Sequence, residues 1–415
     1  MNENDALNLS HLHAVHVIAE TGSVSRAAVA LFRAQSAVTR AVQETEAALN
    51  ERLFDRKPSG MLPTGVCRAV LQRSARVFGE LEDVARWTRA RRGSRHTAAE
   101  QTLPAYLLNT RRLQLFVTLA RHKHMPSAAR ALGITQPAVS SAIKILESGA
   151  GMPLFHRNPR GLLLTSEGET FLLHVRRALN ELRHLSDDVA ALRGHIQGSV
   201  TVGALPLGRT VILPEAIARV IERYPGVRVV TDESAYESLV GGLRAGDVDF
   251  ILGALRPYDA QSGLQNEKLM TEELVVLARR EHPLAAQREL TVKQLADMQW
   301  VLPRRQSPAR GLFESMFKRA KIRPPTPTVE TADLAVIRGL LLRTDMLAVT
   351  SAQQLHYERQ SGEIVALDAP TRQTSRDIGL TLRAGGAPSP AARALIDAIR
   401  LSIGDVARTT RVVRR

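Results

Sequence analysis

Thr135, Gln136, Pro137, Ser140 and Lys144 stand together in the stretch ITQPAVSSAIKILE, residues 134–147. Their types suit contact with a DNA duplex. A glutamine amide can bond the edge of adenine through two hydrogen bonds, threonine and serine hydroxyls can reach bases or phosphate, and a lysine ammonium attracts phosphate. Pro137 fits the first turn of a helix and Thr135 fits its N-cap. Arg157 and Arg160 follow in PLFHRNPRG, where guanidinium groups could hold phosphates or enter a minor groove. A second stretch, RAQSAVTRAVQETE at residues 33–46, offers Arg33, Gln35, Thr39 and Arg40 for the same work.

Other chemistries lack their residues. The sequence has no phosphate loop, no HExxH, no GxSxG and no GxGxxG after a strand, so an enzyme is not expected. His11, His13 and His16 in HLHAVH invite a metal reading. No third ligand stands at suitable spacing, so they read as surface histidines, and neither metal nor cofactor is expected. Cys67 is the single cysteine, which excludes an intrachain disulfide or a cysteine metal cluster and fits a reducing cytoplasm. Cys67 itself reads as a small buried apolar residue. The stretch MNENDALNLS is polar and acidic rather than a secretory signal, and no apolar run is long enough to span a membrane.

The elements that must position these residues follow from apolar spacing. Leu113, Phe116, Val117 and Ala120 mark a first helix, the Ala128-Ala129 pair a short second one, and Gly133 a turn. Val139, Ile143 and Leu146 then form a buried stripe that leaves Gln136, Ser140 and Lys144 on other faces. Asn158, Pro159 and Gly161 mark the tip of a β-wing. The apolar seam from Phe171 to Leu192 predicts one helix over 169–193, about 37 Å long. Such a seam needs a partner, and a second copy of itself would serve.

All of this recurs 101 residues earlier. Leu12 matches Leu113, Ala27-Ala28 matches Ala128-Ala129, LFDR at 53–56 matches LFHR at 154–157, and Gly60, Leu62 and Thr64 match Gly161, Leu163 and Thr165, with no gap. The match implies duplication of a whole small domain. In the earlier copy Leu12, Val15, Ile18 and Ala19 mark the first helix, and a helix from Val66 to about Arg92 follows the wing. Arg33 replaces apolar Ile134 there and Ala34 replaces the capping Thr135, a loss worth about 1 kcal/mol. Whether this copy touches DNA or only shapes an oligomer stays open at this point.

The formal charge of +15 favours polyanionic partners, and residues 1–198 hold 26 Lys+Arg against 17 Asp+Glu. From residue 199 strands and helices alternate. Strands are expected at 200–203, 227–231, 249–253, 274–278, 300–302, 328–331 and 346–349, and those at 364–367 and 378–383 should return the chain to the first unit. This predicts α/β layers with largely parallel sheets and a cleft between two subdomains.

SAARALGITQPAVSSAIKILE, PLFHRNPRGLLLTSEG, the long helix, VTVGALPLGRTVILPEAIARVIERYPGVRV, LRAGDVDFILG, LARREHPLA and TDMLAVTS occur in that order over roughly residues 109–402. In these motifs the chain resembles the LysR-type transcriptional regulators. The resemblance implies a winged helix-turn-helix, a dimerising helix and a periplasmic-binding-protein-like α/β effector domain of two subdomains. The extra N-terminal copy departs from most members. The LPLGRT segment resembles a subgroup of sugar-related regulators.

The fold class is therefore multidomain α/β. The first winged helix-turn-helix and its helix take 1–92, a linker 93–108, the second winged helix-turn-helix 109–168, and the dimerising helix 169–196. The effector domain takes 199–402, with subdomain I at about 199–258 and 364–402 and subdomain II at about 270–362, before a basic tail at 403–415. Leu205, Gly208, Arg209 and Thr210 lie between a strand and a helix, where ligands of α/β folds collect. Ser307 and Arg310 open another helix after a strand and should face Arg209 and Thr210 across the cleft. Thr331 and Val349 stand near strand ends. The expected function is sequence-specific regulation of transcription under a small-molecule effector. The partners would be double-stranded DNA, that effector, a second copy in a cytoplasmic homodimer or homotetramer, and RNA polymerase. The alternatives are an architectural DNA binder without ligand and an enzymatic or solute-binding domain tethered to DNA-binding modules.

Overall fold

The computed structural model describes residues 7–58, 60–92, 103–158, 161–258 and 262–413, without the side chains of Arg157 and of residues 405–413. The chain divides into two compact units, Met1–Gly198 with Ala245–Asp247, and Ser199–Arg244 with Val248–Arg415.

The first unit runs α1 (Leu9–Thr21), α2 (Val24–Ala30), α3 (Gln35–Leu49), β1 (Phe54–Lys57), β2 (Gly60–Pro63) and α4 (Gly65–Arg92). It continues α5 (Thr110–His122), α6 (Met125–Ala131), α7 (Gln136–Ala150), β3 (Phe155–Asn158), β4 (Gly161–Leu164), α8 (Ser166–Arg183) and α9 (Leu185–Leu192). Details recur at the offset of 101. Glu46 accepts from the Leu53 amide at 2.8 Å and Glu147 from the Leu154 amide at 2.9 Å. Thr64 caps α4 through the Cys67 amide at 3.1 Å, and Thr165 caps α8 through the Gly168 amide at 2.9 Å. The wing strands pair antiparallel in both places. At the wing turns Gly60 (φ +123) and Gly161 (φ +124) leave no room for a Cβ, which would lie 2.5 Å from the Gly22 carbonyl oxygen and 2.6 Å from that of Lys123. One hydrophobic core runs through all of these elements, from Leu7 to Val189.

Three expectations for this unit need correction. The helix expected over 169–193 breaks at His184 (φ −80, ψ −4), giving α8 and α9. The apolar seam runs on through Leu182, Leu185 and Val189, so hydrophobic spacing hides the break. Asp187 and Asp188 favour a new helix start there, and Arg73 bonds both Glu181 before the break and Asp188 after it. Thr135 occupies the N-cap of α7 without a side-chain cap bond, so Ala34 at the same place on α3 costs no cap by comparison. His13 and His16 are not surface histidines. Both are half-buried edge-on to the Phe78 ring, at 5.6 and 5.0 Å between centroids.

The second unit holds two five-stranded sheets. One is ordered β6 (Gly226–Asp232), β5 (Gln197–Ala204), β7 (Phe250–Ala254), β14 (Arg376–Arg383), β8 (Leu264–Glu272). The other is ordered β11 (Val329–Glu330), β10 (Trp300–Leu302), β12 (Leu347–Ser351), β9 (Leu274–Arg279), β13 (Ile364–Ala366). Helices α10 (Ile212–Arg223), α11 (Tyr236–Ala245) and α16 (Pro390–Val413) belong to the first lobe, and α12 (Val292–Ala296), α13 (Pro308–Arg319), α14 (Leu334–Leu341) and α15 (His356–Gln360) to the second. The sheets are mixed rather than largely parallel. β5 with β7 and β10 with β11 and β12 are parallel, whereas β14 pairs antiparallel with β7 and β8, and β9 antiparallel with β12 and β13. The segment 364–367 does not return to the first lobe, because β13 completes the second sheet against β9. The chain crosses between lobes at 272–274 and after β13, and of the two strands expected to return only β14 does, followed by α16. β8 escaped the sequence reading because it is an edge strand with a single buried residue, LQNEKLMTE, without apolar alternation.

Candidate functional site

Helix α7 buries Val139, Ile143, Leu146 and Ala150 against the core of the first unit. That stripe fixes which face it leaves outside. Thr135, Gln136, Pro137 and Lys144 are exposed and Ser140 half-buried on the same surface. Pro137 stands within the first two positions of the helix, where it removes no intrahelical hydrogen bond. The structure therefore brings the five predicted residues onto one outer face of α7, with Thr135, Gln136 and Pro137 at the helix N-terminus, where amide N–H groups and the helix dipole favour an anion, and Ser140 and Lys144 about one and two turns further along. The backbone of Arg157 lies in β3 opposite Leu162, and Arg160 falls outside the described residues.

Helix α3 is built the same way. Val38, Ala41, Val42, Thr45 and Leu49 face inward, while Arg33, Gln35 and Arg40 are exposed and Thr39 half-buried. Arg40 bonds Glu44 at 2.6 Å on the same face. The turn before α3 holds a residue that sequence reading missed. Phe32 stands where α7 is preceded by Gly133, with φ +53 and 95% of its surface exposed.

In the second unit Leu205 opens a short turn of helix at the end of β5, and the buried Gly208 lets that turn lie on Leu252, which a Cβ would approach to 2.8 Å. Arg209 donates through Nε to the Ala204 carbonyl at 2.7 Å and through Nη2 to that of Glu233 at 3.2 Å. Burial lowers its guanidinium from the ordinary value, opposed by Glu233 and by Asp333 of the other lobe. The Thr210 hydroxyl donates to the Gln354 carbonyl at 2.9 Å and so links the lobes directly. Ser307 is the N-cap of α13 without a side-chain cap bond, and the Thr331 hydroxyl accepts from the Asp333 amide at 3.0 Å.

Two predicted ligand residues do other work. Arg310 is 4% exposed and held within its own lobe, by Glu314 at 2.8 Å and the Pro303 carbonyl at 3.3 Å, so it does not reach across to Arg209. Val349 is 3% exposed in the core with Trp300 and Phe313. Strand alternation points it to that side of the sheet, while Ala348 joins the core on the other side. Sequence reasoning also missed Asp333 and Gln354, which carry no motif. It missed Glu272 as well, which ends β8 and accepts from Arg376 Nε and Nη2 at 2.9 and 2.6 Å and from the Ser351 hydroxyl. That cluster ties the crossing strands together.

Comparison with known proteins agrees with this arrangement. The model described as "LysR substrate binding domain" matches residues 193–402, and that described as "Bacterial regulatory helix-turn-helix protein, lysR family" matches residues 9–68 and 110–169. The chain is 50% identical over 400 residues to the HTH-type transcriptional regulator GalR of Pseudomonas putida, covering 96% of this chain and 98% of that one. It is 32% identical over 299 residues to the regulator PcaQ of Agrobacterium fabrum, covering 71% and 95%. Among solved structures, a full-length single-residue variant of OxyR from Pseudomonas aeruginosa shares the fold at TM-score 0.55 and 24% identity, over 71% of this chain and 94% of that one. CbnR, a LysR family transcriptional regulator, does so at TM-score 0.52 and 21% identity, over 71% and 99%. With its helix-turn-helix in the first unit and its two-sheet ligand-binding domain in the second, the chain belongs to the LysR family of transcriptional regulators.

Proposed function

We propose that the N-terminal unit carries two winged helix-turn-helix heads derived by duplication, and that α7 is the principal reader of double-stranded DNA. The observation that carries this reading is the outer face of α7, where Thr135, Gln136 and Pro137 stand at the helix N-terminus and Ser140 and Lys144 continue the same face along the next two turns. Gln136 meets a base edge, Thr135 and Ser140 meet bases or adjoining phosphates, and Lys144, Arg157 and Arg160 hold phosphates. Arg33, Gln35, Thr39 and Arg40 occupy the corresponding places on the first head. Support for duplication comes from the recurring caps and wing turns, and from the likeness to the Pseudomonas regulator, whose 400 aligned residues reach into the first hundred.

The second unit acts as a periplasmic-binding-protein-like effector domain whose lobes close on a small polar molecule bearing carboxylate or hydroxyl groups. Leu205, Gly208, Arg209 and Thr210 on one side and Ser307 and Thr331 on the other supply the contacts, and Asp333 and Gln354 adjoin them. The regulator works in the cytoplasm as a homodimer or homotetramer, and RNA polymerase is the further partner of its DNA complex. Hydroxyl-radical footprinting of the intact protein on its own upstream DNA tests the DNA reading. Protection of a discrete segment in the presence of mixed-sequence competitor is expected, and uniform loss of protection with competitor would refute it. Thermal-shift titration of the full chain with small carboxylic acids and sugars tests the effector site. One of them should raise the melting temperature of wild type, and Thr210→Val should weaken that rise severalfold by removing the hydroxyl that bridges to Gln354.

A further inference from the structure

The two halves of the N-terminal unit meet each other reciprocally. Arg73 of α4 donates through Nη1 to Glu181 of α8 at 2.7 Å, and Glu80 of α4 accepts from Nδ1 of His174 of α8 at 2.8 Å. At the offset of 101, Glu181 is the counterpart of Glu80 and His174 the counterpart of Arg73. Position 73 of one half therefore meets position 80 of the other, in both directions. This is the pattern of an isologous, two-fold contact. A similar exchange, one position out of register, joins the end of each half's long helical segment to the other half's α3 or α7. Arg92 donates through Nε to the Ala150 carbonyl at the end of α7, at 2.9 Å. Its counterpart Arg193 donates through Nη2 to the Asn50 carbonyl at the end of α3, at 2.7 Å. Near the axis a position meets its own counterpart, as the Leu9 amide donates to the Thr110 hydroxyl at 3.0 Å. A cavity of about 850 Å³ opens beside this contact, lined by the counterparts Asn8 and Asn109 among others.

We infer that one chain is a closed, two-headed DNA reader, an internal dimer in which α3 and α7 hold equivalent places about a local two-fold axis. A second chain is not needed to supply the second head. This rests on the reading of α7 as a DNA-contacting helix and goes beyond it in stoichiometry and in target. Two heads fixed about a two-fold axis engage two half-sites about one helical turn, roughly 34–36 Å, or a multiple of it apart. The heads are alike at Gln35 and Gln136 but differ at other exposed positions of the two helices, Ser36 against Pro137, Arg40 against Ser141 and Gln43 against Lys144. The target of one chain is therefore a pair of half-sites that share the base met by glutamine and diverge beside it, rather than a true palindrome.

The test is selection of duplexes from a random pool by three full-length proteins: wild type, Gln35→Ala and Gln136→Ala. Both substitutions fall at exposed positions outside the core. Wild type should select two unlike half-sites. Each variant should lose sequence preference in one half only, a different half for each, with affinity for the wild-type site falling about tenfold. If Gln136→Ala relaxes both halves and Gln35→Ala neither, two copies of α7 from two chains read the site. DNA reading by α7 then stands and the internal dimer is wrong. If wild type selects no sequence at all, the DNA reading itself fails and takes this inference with it.

Discussion

His16 is half-buried between Phe78 and Ser74, and burial, assisted by His13, pulls its imidazole down to about 4 from an ordinary 6.5. The unfolded chain then takes up this proton first as the pH falls. The native state is favoured in full above about 6.5, loses stability as the pH drops toward 4, and loses no more below that. His16→Val installs the residue found at the matching position, Val117. It should flatten this part of the profile, read as a smaller fall in urea midpoint between pH 7 and pH 5 than wild type shows; an equal fall would exclude His16 as a source. Arg73 is the other residue with consequences. It is 2% exposed, as is Glu181, and although burial opposes its charge, the bonds to Asp188 and Glu181 outweigh burial and raise its guanidinium. Arg73→Met removes the ion pair that Arg73 makes with the buried Glu181 carboxylate and should cost about 3–5 kcal/mol by chemical denaturation, with Arg73→Met/Glu181→Met recovering part of that. A single-variant loss below about 1 kcal/mol would mean that water reaches the site.

The turn before α3 shows what an element tolerates. Phe32 holds a left-handed conformation that Gly133 holds 101 residues later in the turn before α7, and it gains little burial in return. Phe32→Gly should stabilise the protein by about 1 kcal/mol, the strain relieved less the extra freedom of the unfolded glycine. An unchanged or lower midpoint would show that the phenyl ring packs on something in solution. The same turn shows how sequence and structure divide the explanation. The helix-turn-helix order was legible because buried stripes such as Val139, Ile143 and Leu146 and turn residues such as Gly161 are local signals. The break at His184 was not, because an apolar seam passes through it without interruption. Nor were Arg310 and Val349 legible as residues of a lobe interior. A basic turn and a core strand look the same in one dimension as a ligand-binding loop and a strand end. The reciprocal contacts of α4 with α8 join residues about a hundred positions apart, and no local pattern encodes such pairs.

At the scale of the whole molecule, a helix-turn-helix unit is joined to an effector domain whose lobes meet at Thr210 and Gln354 and are tied at Glu272 and Arg376. Ligand binding at such a cleft can change DNA occupancy only through different affinities for two arrangements of the chain. The proposed DNA contacts sort into those that read and those that hold. Lys144, Arg157 and Arg160 should set the salt dependence of binding, whereas Gln136 should set the sequence preference. One ratio measures the reading by α7 directly, the Kd for the footprinted site against the Kd for a mixed-sequence duplex, taken at one salt concentration for wild type and Gln136→Ala. The specific Kd of Gln136→Ala should weaken about tenfold while the non-specific Kd stays where it is, because the phosphate contacts remain. A variant that keeps the wild-type ratio would contradict the assignment of α7 as the reading helix.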